Sequence, residues 1–371
     1  MYLEKLLLKN YRNIREVFLE FDKNLNIFTG LNGQGKTNLI ESIYLMGTGS
    51  SHRTSIDREL IEWQKEKTLI QLLLNRREQN LKLSLKLDES GKSIEINNNP
   101  IERVSELIGT LNVVLFSPED LNLVKGGPSY RRKFLDIEIS QVSSYYFYLL
   151  NKYKHILKQR NKLLKEIRQT RGDKKLLGIW DEKLAETGSR IINKRREVVE
   201  KLKLLARLSH RQITAGNEEL NIYYETSLKN NDKIMDTELI FMKNLVNNRE
   251  EEIIKGYTVT GPHRDDLILK GNNIDLRKYG SQGQQRTAAL ALKMAELEFM
   301  KSETGEYPVL LLDDVFSELD KNRRSTLLGL IAGKIQSFIT TTDINDIHDL
   351  EEFKSKEYSL FEVNEGKIRE R

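Results

Sequence analysis

Apolar and polar positions alternate from Tyr2 to Lys9, with Leu3, Leu6 and Leu8 marking one side, which predicts a strand. A polar turn, Asn10 to Ile14, leads to a second alternating run, Val17 to Phe21, so the chain opens as a hairpin. Asn24 to Thr29 (NLNIFT) reads as a short buried strand. Asn38 to Met46 (NLIESIYLM) places Leu39, Ile40, Ile43 and Met46 on one helical face. Three further strands are predicted at Thr68–Leu74, Leu81–Lys86 and Ser93–Asn97, and a buried one at Val113–Phe116, stopped by Pro118. Tyr130 to about Arg211 is helical, broken at Gly172-Asp173 into two arms. Asn217 to Val246 reads as a peripheral hairpin and helix. Strand character returns at Tyr257–Thr260 and Leu267–Leu269. A long helix follows Gly280, running to about Lys301. Pro308 to Leu312 is apolar without alternation, as in a strand buried on both faces, and Ser337–Thr340 is a further strand.

Between the strand at Asn24 and the helix at Asn38 stands Gly30-Leu31-Asn32-Gly33-Gln34-Gly35-Lys36-Thr37, a glycine, four residues, then Gly-Lys-Thr. A strand, a glycine-rich turn and a helix N-terminus form an anion site, since backbone N–H groups and the helix dipole converge on phosphate. Lys36 is expected on the β- and γ-phosphates of a nucleotide and Thr37 on Mg²⁺, with Asn38 opening the helix. Arg12 and Asn13, at the hairpin tip, are candidates for nucleotide contact as well as ordinary turn residues. Arg53 follows a Gly/Ser-rich stretch behind the loop, where an arginine can stabilise γ-phosphate charge.

The carboxyl end of the chain supplies a second set. Ser281 is a natural N-cap for the helix opened by Gly280-Ser281-Gln282-Gly283, and the glycines allow close approach. The strand at Pro308 ends in Asp313-Asp314, at the edge of a parallel sheet where ligands bind. Asp313 is expected in the Mg²⁺ shell, and Asp314 on the attacking water. Gly261-Pro262-His263-Arg264-Asp265-Asp266 is either a loop or a phosphate or Mg²⁺ neighbour.

The 371 residues, 31% charged and 38% apolar, describe an ordinary globular chain of two or three domains. The absence of cysteine excludes disulfides and cysteine metal sites and fits a cytoplasmic address. No apolar run reaches the roughly 20 residues of a membrane span, and the N-terminus does not read as a signal peptide. The net charge of +5 becomes informative only through its clustering in residues 130–211. Lys194, Arg195 and Arg196 are three consecutive cations of that run, which also counts Arg171, and are candidate DNA-phosphate contacts. Arms of about 35 residues reach only ~50 Å, a short lobe rather than a coiled-coil rod.

The phosphate loop, the Ser-Gln-Gly-Gln stretch opening a helix, the strand ending in Asp-Asp and Ser317-Glu318-Leu319-Asp320, in that order, resemble the ABC-type ATPase heads of the SMC group. Phe116–Asp136, Thr260–Leu267, Tyr279–Thr287 and Asp313–Asp320 resemble the RecF family of bacterial recombination proteins in particular. The resemblance implies an α/β head with a mixed, largely parallel sheet core and an antiparallel N-terminal subdomain. Residues 1–120 and 256–371 would form it, and 121–255 an inserted helical lobe.

It further implies ATP and Mg²⁺ as ligands and a homodimer joined by ATP, with Ser281, Gln282 and Gly283 acting on the other subunit's nucleotide and Asp320 near the seam. DNA at gaps and single-strand/double-strand junctions, RecR and RecA are the implied partners, in recombinational repair and the SOS response. Asp314 stands where the group has a catalytic glutamate, Thr341-Thr342 stand where it has a histidine, and Ser117–Asp120 lacks the usual glutamine. The first two departures fit slow, DNA-dependent hydrolysis used as a switch. The competing readings are a P-loop kinase or transport ATPase, and a short SMC-like structural linker.

Overall fold

A computed structural model describes residues 1–170, 172–229, 236–331, 333–344 and 358–371. Arg171 lies outside the described residues. The chain divides into two compact units, Met1–Asp120 with Lys293–Arg371, and Leu121–Leu292.

The first unit holds two six-stranded sheets. One is antiparallel throughout, in the order Ile14–Glu20, Tyr2–Tyr11, Thr68–Arg76, Gln79–Asp88, Gly91–Ile96, Asn99–Ile101. Its register shifts between Leu3 and Lys5, a bulge that re-phases the strand so that Leu3, Leu6 and Leu8 are all buried despite their uneven spacing. The second sheet runs Lys367–Glu370, Ser359–Asn364, Leu25–Thr29, Ser337–Thr341, Val309–Asp313, Val113–Phe116. Its five long-range strands are parallel, and the last hairpin adds one antiparallel edge. The continuous apolar runs at Val113 and Val309 are buried at every position, as strands covered on both faces must be.

The helix Lys36–Thr48 packs into one apolar cluster with residues of both sheets. The periodicity indicates a single buried face. The structure also buries Glu41, Ser42, Tyr44 and Leu45, so the helix is enclosed on nearly all sides.

The second unit is built on the helices Pro128–Val142, Ser144–Arg168 and Leu176–Ile213. The sequence reading has one break in this run; the structure has two, the first at Ser143, whose hydroxyl accepts the N–H of Tyr146 as a helix cap. The longest helix, 38 residues, spans about 57 Å. Among the described residues the strand Leu220–Glu225 has no local hairpin partner. It pairs antiparallel with Asp266–Gly271, which also pairs with Ile274–Asp275. This long-range pairing gathers residues 256–292, grouped above with the head, into the second unit. Tyr257–Thr260 is not a strand: the N–H and hydroxyl of Thr258 both donate to Asn161 Oδ1, at 2.8 and 2.7 Å.

Candidate nucleotide site

The loop after the strand Leu25–Thr29 turns on glycine. Gly35 holds φ 117°, and a Cβ there would stand 2.8 Å from Asn13 Oδ1. At Gly30 a Cβ would fall 2.2 Å from the carbonyl oxygen of Val363. No other residue type fits either place. Helix Lys36–Thr48 starts at Gly35 with no side-chain cap and no acid in its first turn, so the positive end of its dipole, at the loop, is not met by a side chain of that turn.

Within the loop Leu31, Asn32 and Gly33 are exposed. The turn at Glu365-Gly366 grips Gln34: Gly366 N–H donates to the Gln34 carbonyl at 2.9 Å and Glu365 N–H to its Oε1 at 2.6 Å. Lys36 is buried, and its ammonium donates to the carbonyls of Gly30 at 2.5 Å and Leu31 at 2.9 Å. Burial lowers its pKa, against the pull of Asp314 and Asp313.

Thr37 Oγ1 donates to Asp313 Oδ1 at 3.1 Å, across 276 positions of sequence. The same oxygen accepts from Thr340 Oγ1 at 2.8 Å. Burial pushes the Asp313 carboxyl upward, and the two hydroxyl hydrogen bonds oppose it. A hydroxyl and one carboxylate suit Mg²⁺, which takes one or two protein oxygens and completes its octahedron with phosphate and water. Among the described residues, no three His, Cys, Asp or Glu side chains converge on a metal position of their own.

The neighbouring Asp314 has φ 52°, an uncommon setting for a residue with a side chain. Its N–H is fixed by Thr340 Oγ1 at 2.9 Å. Thr340 thus orients both aspartates from the adjacent strand, a role no motif announces. Asp120, at the end of the strand Val113–Phe116, accepts the N–H of Ser117 at 2.8 Å, and burial pushes its carboxyl up to about 6.

Glu41 was not visible in the sequence, and it organises the flank of the loop. It is fully buried. Arg12 donates to it twice, at 2.9 and 2.7 Å, and also to the carbonyl of Glu59 at 2.9 Å. Asn13 spans to the loop, donating to the Gln34 carbonyl at 3.1 Å and accepting from Asn38 at 2.8 Å. Arg53, 41% exposed, donates to Asn38 Oδ1 at 2.7 Å and lies 3.5 Å from Glu41. Arg12 and Asn13 are therefore braces of the loop. No local signal marks Glu41: the periodicity puts the buried face at Leu39, Ile40, Ile43 and Met46, and only enclosure by the fold buries the acid opposite them.

In the second unit, Ser281 and Gln284 form a reciprocal capping box at 3.0 and 3.2 Å, opening the helix Gln282–Thr304. Ser281, Gln282 and Gly283 are exposed, as is Tyr279 beside them. Asp320, in the first unit, caps the helix Lys321–Ile331.

Two expectations change. Arg195 is not an outward phosphate contact: it is 2% exposed and donates to Asp136, Tyr146 and the Pro262 carbonyl at 2.7, 3.0 and 2.7 Å. Lys194 and Arg196 remain at the surface, Lys194 paired with Glu197 and Arg196 donating to Thr237. The second concerns Gly261–Asp266, which binds the second unit together. Asp266 accepts two bonds from Arg131, Asp265 accepts the N–H of Ser227, and His263 bonds Tyr153. Burial pushes the His263 imidazole down to about 4, so it is neutral. These carboxylates are hydrogen-bonded within their own unit.

Among the described residues no helix is long and apolar enough to cross a membrane. Compared with known proteins, residues 2–367 match the model of the RecF/RecN/SMC N-terminal domain. The DNA replication and repair protein RecF of Halothermothrix orenii is 58% identical over 99% of this chain and 98% of its own length. The solved structure of the recombination mediator protein RecF with ATP, in the RecFOR pathway, is 38% identical, covers 100% of this chain and 97% of its own, and superposes with a TM-score of 0.91. The Smc head of Pyrococcus furiosus, 17% identical with a TM-score of 0.56, shares the fold. With residues 2–367 matched by the family model and RecF relatives 58% and 38% identical over nearly the whole of both chains, the chain belongs to the RecF family of the RecF/RecN/SMC group.

Proposed function

We propose that this chain is an ATP-gated DNA clamp of recombinational repair. Residues 30–38 bind the triphosphate, Lys36 on its outer phosphates. Thr37 and Asp313 hold Mg²⁺. Bound ATP–Mg²⁺ supplies the charge that joins two copies, and the exposed Ser281, Gln282 and Gly283 of one copy close over the nucleotide of the other. Asp314 positions the attacking water and takes its proton, and Asp320 lies near the seam. Hydrolysis is slow and releases the clamp. Cytoplasmic DNA at gaps and junctions is the substrate surface, with RecR and RecA as the partners that receive it, in line with the pathway named for the RecF–ATP relative.

The observation that carries this reading is the Thr37–Asp313 contact, which brings the phosphate-loop helix and the aspartate strand together across 276 positions of sequence. Exposure of the signature residues supports the second half of the site. The test is fluorescence anisotropy on a gapped duplex with Mg²⁺ and either ATP or ADP. ATP-dependent binding that is lost in Ser281→Arg, while nucleotide binding by the monomer persists, supports the clamp. Equal binding with ATP, ADP or none overturns it.

A further inference from the structure

Glu41 has no part in the motifs, yet two arginines, a serine and the loop braces all lead to it. Its carboxylate takes Arg12 through Nε and Nη2 and Ser51 through its hydroxyl at 2.5 Å. The Ser51 oxygen in turn accepts the N–H groups of Arg53 and Thr54 at 3.0 and 3.2 Å. Arg53 reaches Glu41 at 3.5 Å and Asn38 at 2.7 Å, and Asn38 is tied through Asn13 to the loop carbonyl of Gln34. Arg12 gives three of its donors to Glu41 and the Glu59 carbonyl, and braces the loop from there. Arg53 is half-exposed, and its guanidinium carries five donors against the two contacts described. Two guanidinium charges thus share one carboxylate beside the phosphate loop.

We propose that Glu41 is a positioning residue, buried behind the loop, that holds Arg53 where it distinguishes a nucleoside triphosphate from a diphosphate. This rests on the reading of residues 30–38 as the ATP site. Glu41 fixes the backbone on both sides of Arg53 through Ser51 and pins the guanidinium at one edge. The remaining donors are then available to an anion in the loop. The carboxylate is itself held ionised. Burial pushes it up, but the bonds from Arg12 and Ser51 and the charges of Arg12 and Arg53 outweigh that and keep it below its ordinary value.

The test is a double-mutant cycle read as the ratio of ADP to ATP dissociation constants, measured by displacement of a fluorescent nucleotide in Mg²⁺. Arg53→Ala lowers the preference for ATP about tenfold, the worth of one charge-assisted hydrogen bond. Glu41→Gln lowers it to a similar extent, and the double variant is no worse than either. Ser51→Ala, which keeps both arginine–carboxylate contacts, lowers it several-fold and serves if Glu41→Gln does not fold. If Arg53→Ala lowers the ratio and neither Glu41→Gln nor Ser51→Ala does, positioning by Glu41 is overturned while the loop reading stands. If Glu41→Gln weakens ATP and ADP equally, Glu41 is merely structural and the proposal is also overturned. If the wild type binds neither nucleotide, it is the loop reading itself that fails.

Discussion

The phosphate loop and the basic helices are both rich in cations, yet the two regions use them in opposite ways. In the loop region the cations sit around an anion site: Lys36 lies on the loop carbonyls, and Arg53 is left with donors to spare. In the helices, part of the positive charge is turned inward. Arg160 is fully buried between Asp181 and Glu252, at 2.7 Å from each, and Arg195 is buried on Asp136. The difference lies in range. The loop's motif is written in eight consecutive residues, glycines and a helix start, although Asn13 and the Glu365-Gly366 turn also hold it from outside. Burial of a helical arginine is decided by a partner far away, 59 positions for Arg195 and Asp136. Positive charge in a helix is therefore evidence of a DNA surface only once its partners are known.

The sharpest way to break this comparison is to remove one cation of each kind. Arg195→Ala leaves Asp136 without its charge partner in a desolvated setting and is expected to cost about 3–5 kcal/mol in a urea melt. Lys194→Ala, one position away and screened by solvent, is expected to cost less than about 1 kcal/mol. Equal losses would mean that burial does not separate the two roles. Next in size, Lys36→Ala should weaken ATP about a hundredfold by calorimetry, since it removes a buried ammonium with several acceptors. Asp313→Asn should raise the Mg²⁺ concentration needed for ATP binding about tenfold, with little change when Mg²⁺ is absent.

A smaller effect comes from Asp120. The folded chain keeps a proton on this carboxyl up to about 6, whereas the unfolded chain gives it up near 3.8. The folded state thus binds more protons in that window, and this group makes stability fall as pH rises through it. Asp120→Asn keeps the acceptor for Ser117 and should flatten the pH dependence of the melting temperature between about 4 and 6; an unchanged slope would assign it elsewhere. Smallest is the surface pair. Lys194→Ala with Arg196→Ala should reduce the salt slope of DNA binding by about two, with a modest loss of affinity at low salt.

Much of the fold was legible because it is periodic or punctuated. The strand Val113–Phe116 and the phosphate-loop helix follow from apolar runs and glycines. The N-cap role of Ser281 follows from a serine at a helix start, while its reciprocal bond with Gln284 emerges only in the structure. What was not legible depends on contacts between distant segments. Pairing of Leu220–Glu225 with Asp266–Gly271 decides where residues 256–292 belong, and nothing local announces it. Thr340 and Glu41 are ordinary residues in ordinary elements, and only the approach of Asp313 and of Arg12 gives them a role. The Gly-Pro-His-Arg-Asp-Asp stretch shows the converse. Its residue types suit phosphate chemistry, and Arg131, Tyr153 and Ser227 claim them first.

The central claim is that ATP joins two copies through one loop and the other copy's signature helix. Light scattering of the wild-type chain and of Ser281→Arg, with Mg²⁺ and with or without ATP, tests it most directly. The account predicts the 43.3 kDa monomer without nucleotide, about twice that mass with ATP, and the monomer alone for Ser281→Arg under both conditions. A wild-type chain that binds ATP and stays at the monomer mass would contradict it, leaving a nucleotide site complete within one copy.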